Sequence, residues 1–266
     1  MPEAEYLNLD AHRDAGELVR TTLVLFARHA LLFLSVTLVV VAPLVILVTG
    51  LWAGGFANGG GSDVATAPAI AATVLLFVLP VLVTALHVAI VRDLGEGRVP
   101  TAARALRSAA PRFPHAIAAL VVYMLLVFGG MILLVIPGVW VLVAGYFVAQ
   151  VAVIERRGPL GAFRRSSGLV VHRWWRTAGT LVLGWVLLTI AEFPVGRAID
   201  AVHSGPIYIV LYTLFQVLTL SLSALFGTLL YFSLRARKER PFDPAPAGAY
   251  LPPVSPTPAA QPPVDV

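Results

Sequence analysis

The sequence predicts an all-α fold: a polytopic integral membrane helical bundle of six transmembrane helices, with amphipathic elbow helices in the membrane interface. Three observations predict it. The chain is 58% hydrophobic and 12% charged, against about 45–50% and about 25% in a soluble domain, so a soluble fold could not cover its apolar surface. Six apolar stretches reach the roughly 20 residues that a helix needs to cross the hydrocarbon core. Eighteen of the nineteen Lys and Arg residues fall on one side of that six-span pattern, and basic residues in short loops are retained on the cytoplasmic side.

The elements follow in order. Residues 1–29 form a cytoplasmic N-terminal segment holding Arg13, Arg20 and Arg28, with an amphipathic stretch at 14–27. The first apolar run follows this polar segment and is longer than the roughly 7–15 residues of a signal-peptide core. It is expected to act as an uncleaved signal anchor. The membrane domain, 30–234, begins with spans at 30–52 and 68–91. Residues 53–67 between them are Gly-rich and small, which predicts a flexible outer loop. Arg92, Arg98, Arg104, Arg107 and Arg112 mark the next connection, with a second amphipathic stretch at 101–110.

Residues 116–154 carry no charge and are twice the length of a span. One continuous helix there would be about 58 Å long, against a core of about 30 Å. Pro137-Gly138, a turn signal, divides the block into spans 116–136 and 138–154. The next connection holds Arg156, Arg157, Arg164, Arg165, Arg173 and Arg176. Within it Leu160, Phe163, Val170, Val171 and Trp174 share one helical face, which predicts an elbow lying apolar side down in the interface. The fifth and sixth spans are 177–195 and 207–234, and Arg197 beside Asp200 is the one outer basic residue. Both termini are then cytoplasmic. The tail 235–266 opens with Arg235, Arg237, Lys238 and Arg240, then holds nine Pro in 241–266, predicting disorder with polyproline II character. Trp52 and Trp140 are expected at the outer interface, and Trp174 and Trp175 at the inner one.

A weak internal repeat accompanies this pattern. Arg20-Thr21, Arg107-Ser108 and Arg165-Ser166 each lie in an amphipathic stretch ahead of a pair of spans, with Pro43, Pro137 and Pro194 in or near the first span of each pair.

With no Cys, disulfides, thiolate metal sites and thiol nucleophiles are excluded. No HExxH, GxSxG or P-loop occurs, and no cofactor or metal site is expected. Basic loops that are short and flank spans argue for anionic lipid headgroups as partners rather than nucleic acid; an unidentified protein partner stays open. Intramembrane polar groups are few. His87 is expected to snorkel to the interface. Glu192 is read either so or as a functional group, with Arg197 as its expected partner. Gln150 and Gln216 are neutral candidates. Thr219, Ser223 and Gly227, and Gly179 and Gly184, are expected to let helices approach closely.

One stretch resembles a known pattern. Pro137-Gly138, an apolar span, Glu155, Gly158, Arg164-Arg165-Ser166 and Trp174-Trp175 are similar to the membrane domain attached to some glycerophosphoryl diester phosphodiesterases, and to related bacterial six-span proteins of unknown function. The resemblance implies a helical bundle with interfacial elbows in the bacterial inner membrane. It implies no activity here, because the catalytic part of those enzymes is a separate soluble barrel and only 26 residues follow Arg240. Glu155, beside Arg164 and Arg165, is expected to pair with Arg and orient the elbow. The leading expectation is a non-catalytic scaffold or accessory protein in a lipid or envelope process. The alternative is a permease-like transporter subunit, with Pro43, Pro80 and Pro194 breaking helices along a path.

Overall fold

A computed structural model describes residues 7–57, 66–202 and 205–239. The connection 58–65, the side chain of Trp52 and the Pro-rich tail from 240 onward lie outside the described residues. Among the described residues ten α-helices follow in order: α1 (Ala15–Arg28), α2 (Ala30–Ala57), α3 (Thr66–Gly95), α4 (Ala102–Ala109), α5 (Phe113–Leu133), α6 (Val135–Ala144), α7 (Val148–Glu155), α8 (Pro159–Val170), α9 (Trp174–Asp200) and α10 (Pro206–Glu239). There are six candidate spans among the described residues, all long and apolar enough to cross a bilayer. The protein is a multi-pass membrane helical bundle.

The elbows form where amphipathicity predicts them. Thr101 caps α4 by accepting the Arg104 N–H at 3.3 Å, which satisfies one of the free donors of a first turn. Pro159 opens α8, at a position whose N–H would have no intrahelical partner. The elbows are docked rather than lying free. α1 buries Leu18, Thr22 and Leu25; α4 buries Ala105 and Ala109; α8 buries Ala162, Ser166, Leu169 and Val170. The apolar face expected on α8 is therefore divided: Val170 is buried, while Leu160 and Val171 stay exposed.

Short helix, long helix, long helix occurs three times, the last long element of the second set being α6 and α7 together. The docking is cyclic. α4 packs on α3, α8 on α7, and α1 on α10, so each elbow sits on the last helix of the preceding set and the ring closes. α3 likewise packs on α5, α6 on α9 and α10 on α2. The largest fully buried side chains, among them Phe33, Leu86, Ile90, Phe147, Leu225 and Tyr231, lie in the halves of the helices nearest the basic end. Away from that end Ile46, Ile70, Leu76, Ile190 and Val210 are exposed, as lipid-facing positions in a membrane bundle are.

Three expectations are corrected. The hairpin turns at Leu134, which is extended (φ −164°, ψ 143°), not at Pro137-Gly138. Pro137 sits in the first turn of α6, where a missing N–H is harmless. Gly138 serves packing: a Cβ there would lie 2.8 Å from the Met131 backbone nitrogen and 2.6 Å from its Cγ. The fourth span is discontinuous, broken at Gly145-Tyr146-Phe147 between α6 and α7. Pro43, Pro80 and Pro194 instead lie inside unbroken helices. Finally, Trp140 and Trp174 do not mark opposite interfaces, because the Trp174 indole N–H donates to the Trp140 carbonyl at 3.4 Å. α8 and α9 both pack against α6.

Candidate functional site

At the basic end, Glu155 closes α7 and acts as a hub. Its Oε1 accepts from Arg165 Nε at 2.8 Å and from the Tyr231 hydroxyl at 3.0 Å, and its Oε2 accepts from Arg157 Nε at 2.8 Å. Arg165 also pairs with Glu239, which in turn holds Arg235 at 2.9 Å. The expected Glu–Arg pair is thus part of a network tying α7, α8 and α10, and Tyr231 and Glu239 are members that the sequence reading missed. Arg156 ends α7 in the left-handed region (φ 52°), which turns the chain toward Gly158, the residue preceding α8. Arg164 is exposed on α8, and Trp175 is 83% exposed.

Ser166 repairs the broken span. Its hydroxyl donates to the Ala144 carbonyl at 2.7 Å and accepts the Phe147 N–H at 3.2 Å, pairing one carbonyl and one amide on either side of the break. Tyr123 donates to the Leu142 carbonyl at 2.7 Å, and its ring occupies the space that a side chain at Gly145 would need. Unpaired backbone groups at membrane depth are costly, so the break is a built feature. Neither other Arg-Ser/Thr pair does this: Ser108 only back-bonds to Ala105, and beside Thr21 it is Thr22 that is buried, bonded to Leu18.

His87 does not snorkel. It is fully buried, stacks on Phe33 at 5.0 Å, and has Nδ1 2.9 Å from the Val83 carbonyl and Nε2 2.8 Å from Ser221 Oγ. Early α2, late α3 and the middle of α10 meet there. Ser221 lies on a different face of α10 from the small-residue seam of Thr219, Ser223 and Gly227. The buried face is Val217, Ser221, Ala224 and Thr228, legible as a 3.6-residue repeat.

The other polar candidates do not converge. Gln150 is buried with Oε1 unpartnered, its Nε2 close to Gly227; Glu192 has Oε1 buried and unpartnered; Gln216 is half-buried. Among the described residues no ion pair joins Glu192 to Arg197. Gly184 does allow a close approach, since a Cβ there would lie 2.5 Å from the Phe226 ring, whereas Gly179 meets nothing.

Two cavities flank α9. One, of about 500 Å³, opens at the basic end and is lined by Arg13, Arg173, Arg176 and Arg237 with Asp14, Thr177 and Ser233. Arg13 is 8% exposed, and its Nη2 donates to the Asn8 carbonyl at 2.6 Å while Nη1 is unpartnered. Burial pulls this guanidinium below its ordinary pKa, and the nearby Glu17 carboxylate partly offsets that. The Thr177 hydroxyl is also buried and unpartnered. The second cavity, of about 760 Å³, is apolar. Val19 and Leu23 of α1, Leu142 of α6, Tyr146 of the break, Trp185 of α9 and Phe226 of α10 are among its walls. Gln150, Gln216 and Glu192 are not among its lining residues. Elsewhere at the basic end Arg92, Arg98, Arg157, Arg165 and Arg235 are paired with carboxylates. Arg98 reaches Asp93 at 2.8 Å and also pairs with Glu96, and the hydrogen bond from Arg92 holds the Glu96 carboxyl below its ordinary range. This end therefore carries an arginine-lined cavity beside an apolar one.

No curated protein and no solved structure matches the chain. The model of one family matches residues 100–236, from the cap of α4 into the last turns of α10. Covering just over half of the sequence, that match places the chain in the family described as Domain of unknown function (DUF7847).

Proposed function

We propose that this chain is a non-catalytic membrane protein that serves as a scaffold or accessory in a lipid or cell-envelope process, engaging anionic lipid headgroups with its basic end. It sits in the bacterial inner membrane with both termini cytoplasmic, the orientation that its charge asymmetry favours. The observation that carries the reading is the placing of eighteen of nineteen basic residues on one side of the six-span pattern, the end at which three elbows dock on the bundle and α1, α9 and α10 line an arginine-rich cavity. Juxtamembrane Lys and Arg are each worth about 1 kcal/mol toward an anionic leaflet. The non-catalytic part is supported by the carboxylates there: Asp93, Glu96, Glu155 and Glu239 all accept from arginine. The kinship with phosphodiesterase membrane domains is part of this proposal, supported by the clustering of Glu155, Arg165 and Ser166.

A permease-like subunit is the second reading, favoured by the break at Gly145–Phe147, since discontinuous helices line transport paths. Against it, the cavity at that level is apolar and does not reach the polar candidates. Crosslinking in native membranes followed by mass spectrometry separates the two. The scaffold reading predicts recovery of envelope proteins and lipid without an ATPase; a stoichiometric ATPase or extracytoplasmic binding protein would replace it with the permease.

A further inference from the structure

The arginine cavity is a place where positive charge exceeds its compensation. Four guanidinium groups line it against the single carboxylate of Asp14, which is 3.5 Å from Arg237. Glu17 lies nearby but acts on Arg13 through space only. Arg173 and Arg176 are exposed and form no ion pair among the described residues. Two further groups are unpartnered although their residues are more than nine-tenths buried: Arg13 Nη1 and the Thr177 hydroxyl. A buried donor without an acceptor is costly, and a buried guanidinium more so. An anion supplying several oxygens would satisfy both donors. Phosphate suits the planar fork of guanidinium groups.

The apolar cavity stands beside it. The two share α1, α9 and α10 as walls, and consecutive residues line one each: Leu18 and Val19, Arg173 and Trp174, Thr177 and Ala178. Its volume falls within the roughly 300–1,000 Å³ of ligand pockets. At membrane depth, hydrocarbon chains are the available filling. A polar phosphate site next to a membrane-level apolar cavity fits a molecule with both ends.

We propose that the pocket of Arg13, Arg173, Arg176 and Arg237 holds the phosphate of an anionic phospholipid, one acyl chain of which occupies the apolar cavity between α1, α6, α9 and α10. This deepens the lipid-engaging reading and rests on it. The site differs from general headgroup attraction in using defined residues and in holding the chain as well as the head.

The test uses the full chain, delipidated in mild detergent. Binding of phosphatidylglycerol, phosphatidylcholine and inorganic phosphate is followed by native mass spectrometry and by thermal stabilisation. Phosphatidylglycerol should bind well ahead of phosphatidylcholine, and Arg176→Gln, at an exposed position that leaves the packing intact, should weaken it roughly tenfold or more, as for lost hydrogen bonds to a charged group. Arg13→Gln should act likewise. Ala191→Trp, which fills the apolar cavity from α9, should weaken lipid binding, and Arg164→Gln, outside the pocket, should not. A preference for phosphatidylglycerol that survives the Arg13 and Arg176 changes would overturn this site while leaving the lipid-engaging reading intact. No preference in the unaltered protein would overturn both. Stabilisation by inorganic phosphate equal to that by lipid, or indifference to Ala191→Trp, would overturn the acyl-chain half and leave a soluble phosphate site.

Discussion

Ser166 joins two sequence facts that look unrelated: a serine in an elbow and a glycine inside an apolar span. The elbow hydroxyl bonds to both sides of the break at Gly145–Phe147. Ser166→Ala should therefore leave an amide and a carbonyl unpaired and lower stability by about 1–3 kcal/mol, read as a lowered melting temperature in detergent. Ser108→Ala, which loses only a local back-bond, should change little. Gly138→Ala is expected to harm more than Gly184→Ala. A methyl at Gly138 meets the Met131 backbone, which cannot step aside, whereas at Gly184 it meets the Phe226 ring, which can rotate; folding yields compared side by side decide this. Glu155→Gln should destabilise by about 1–3 kcal/mol, because Arg165 and Arg157 lose a charged acceptor; an unchanged melting temperature would remove the clamp from the account. The Glu155 pairing was legible because a lone carboxylate at a span end stands beside arginines in the sequence. Ser221 as the partner of His87 was not, because nothing local to residue 87 shows which face of α10 it meets.

At the scale of elements, amphipathic spacing located all three elbows to within a few residues. It could not show that they dock on the bundle, since a helix packing on lipid and one packing on protein carry the same apolar stripe. The break in the fourth span was invisible for a related reason. Residues 145–147 are Gly-Tyr-Phe in an uncharged run, and what opens the helix there is tertiary: the Tyr123 ring over Gly145 and the Ser166 clip. The Leu134 turn carries a consequence for topology. Ile132, Leu133, Leu134, Val135 and Ile136 are all at least 66% exposed, and no polar side chain stands among them. Leu134 satisfies its own backbone, donating to the Gly130 carbonyl at 3.0 Å and accepting from Gly138 at 3.3 Å. Such a tip belongs in hydrocarbon, unlike the end of α9 with its Arg197 and Asp200. The chain has no cysteine, so single-cysteine labelling is clean. Ala201→Cys should react readily with a membrane-impermeant maleimide applied from the side opposite the basic end, and Leu134→Cys should react far more slowly. Equal rates would place the tip in water.

Across the whole molecule, charge asymmetry gave a two-sided object, and the bundle has a core concentrated at its basic end with outer halves facing lipid. What no local pattern could supply is the closure of the ring, with α1 of the first set docking on α10 of the last. That closure forms the arginine cavity, since Arg13 and Arg237 come from opposite ends of the chain. They meet there because the Arg237 Nη2 donates to the Arg13 carbonyl at 2.8 Å and Ser233 accepts the Arg13 N–H at 3.2 Å. The central claim is that this end recruits anionic lipid. It is tested most directly by purifying the full chain from its native membrane and comparing, by mass spectrometry, the lipids it retains with those of the surrounding bilayer. The account predicts clear enrichment of anionic phospholipid on the protein. Retained lipid of the same composition as the bulk membrane would contradict it.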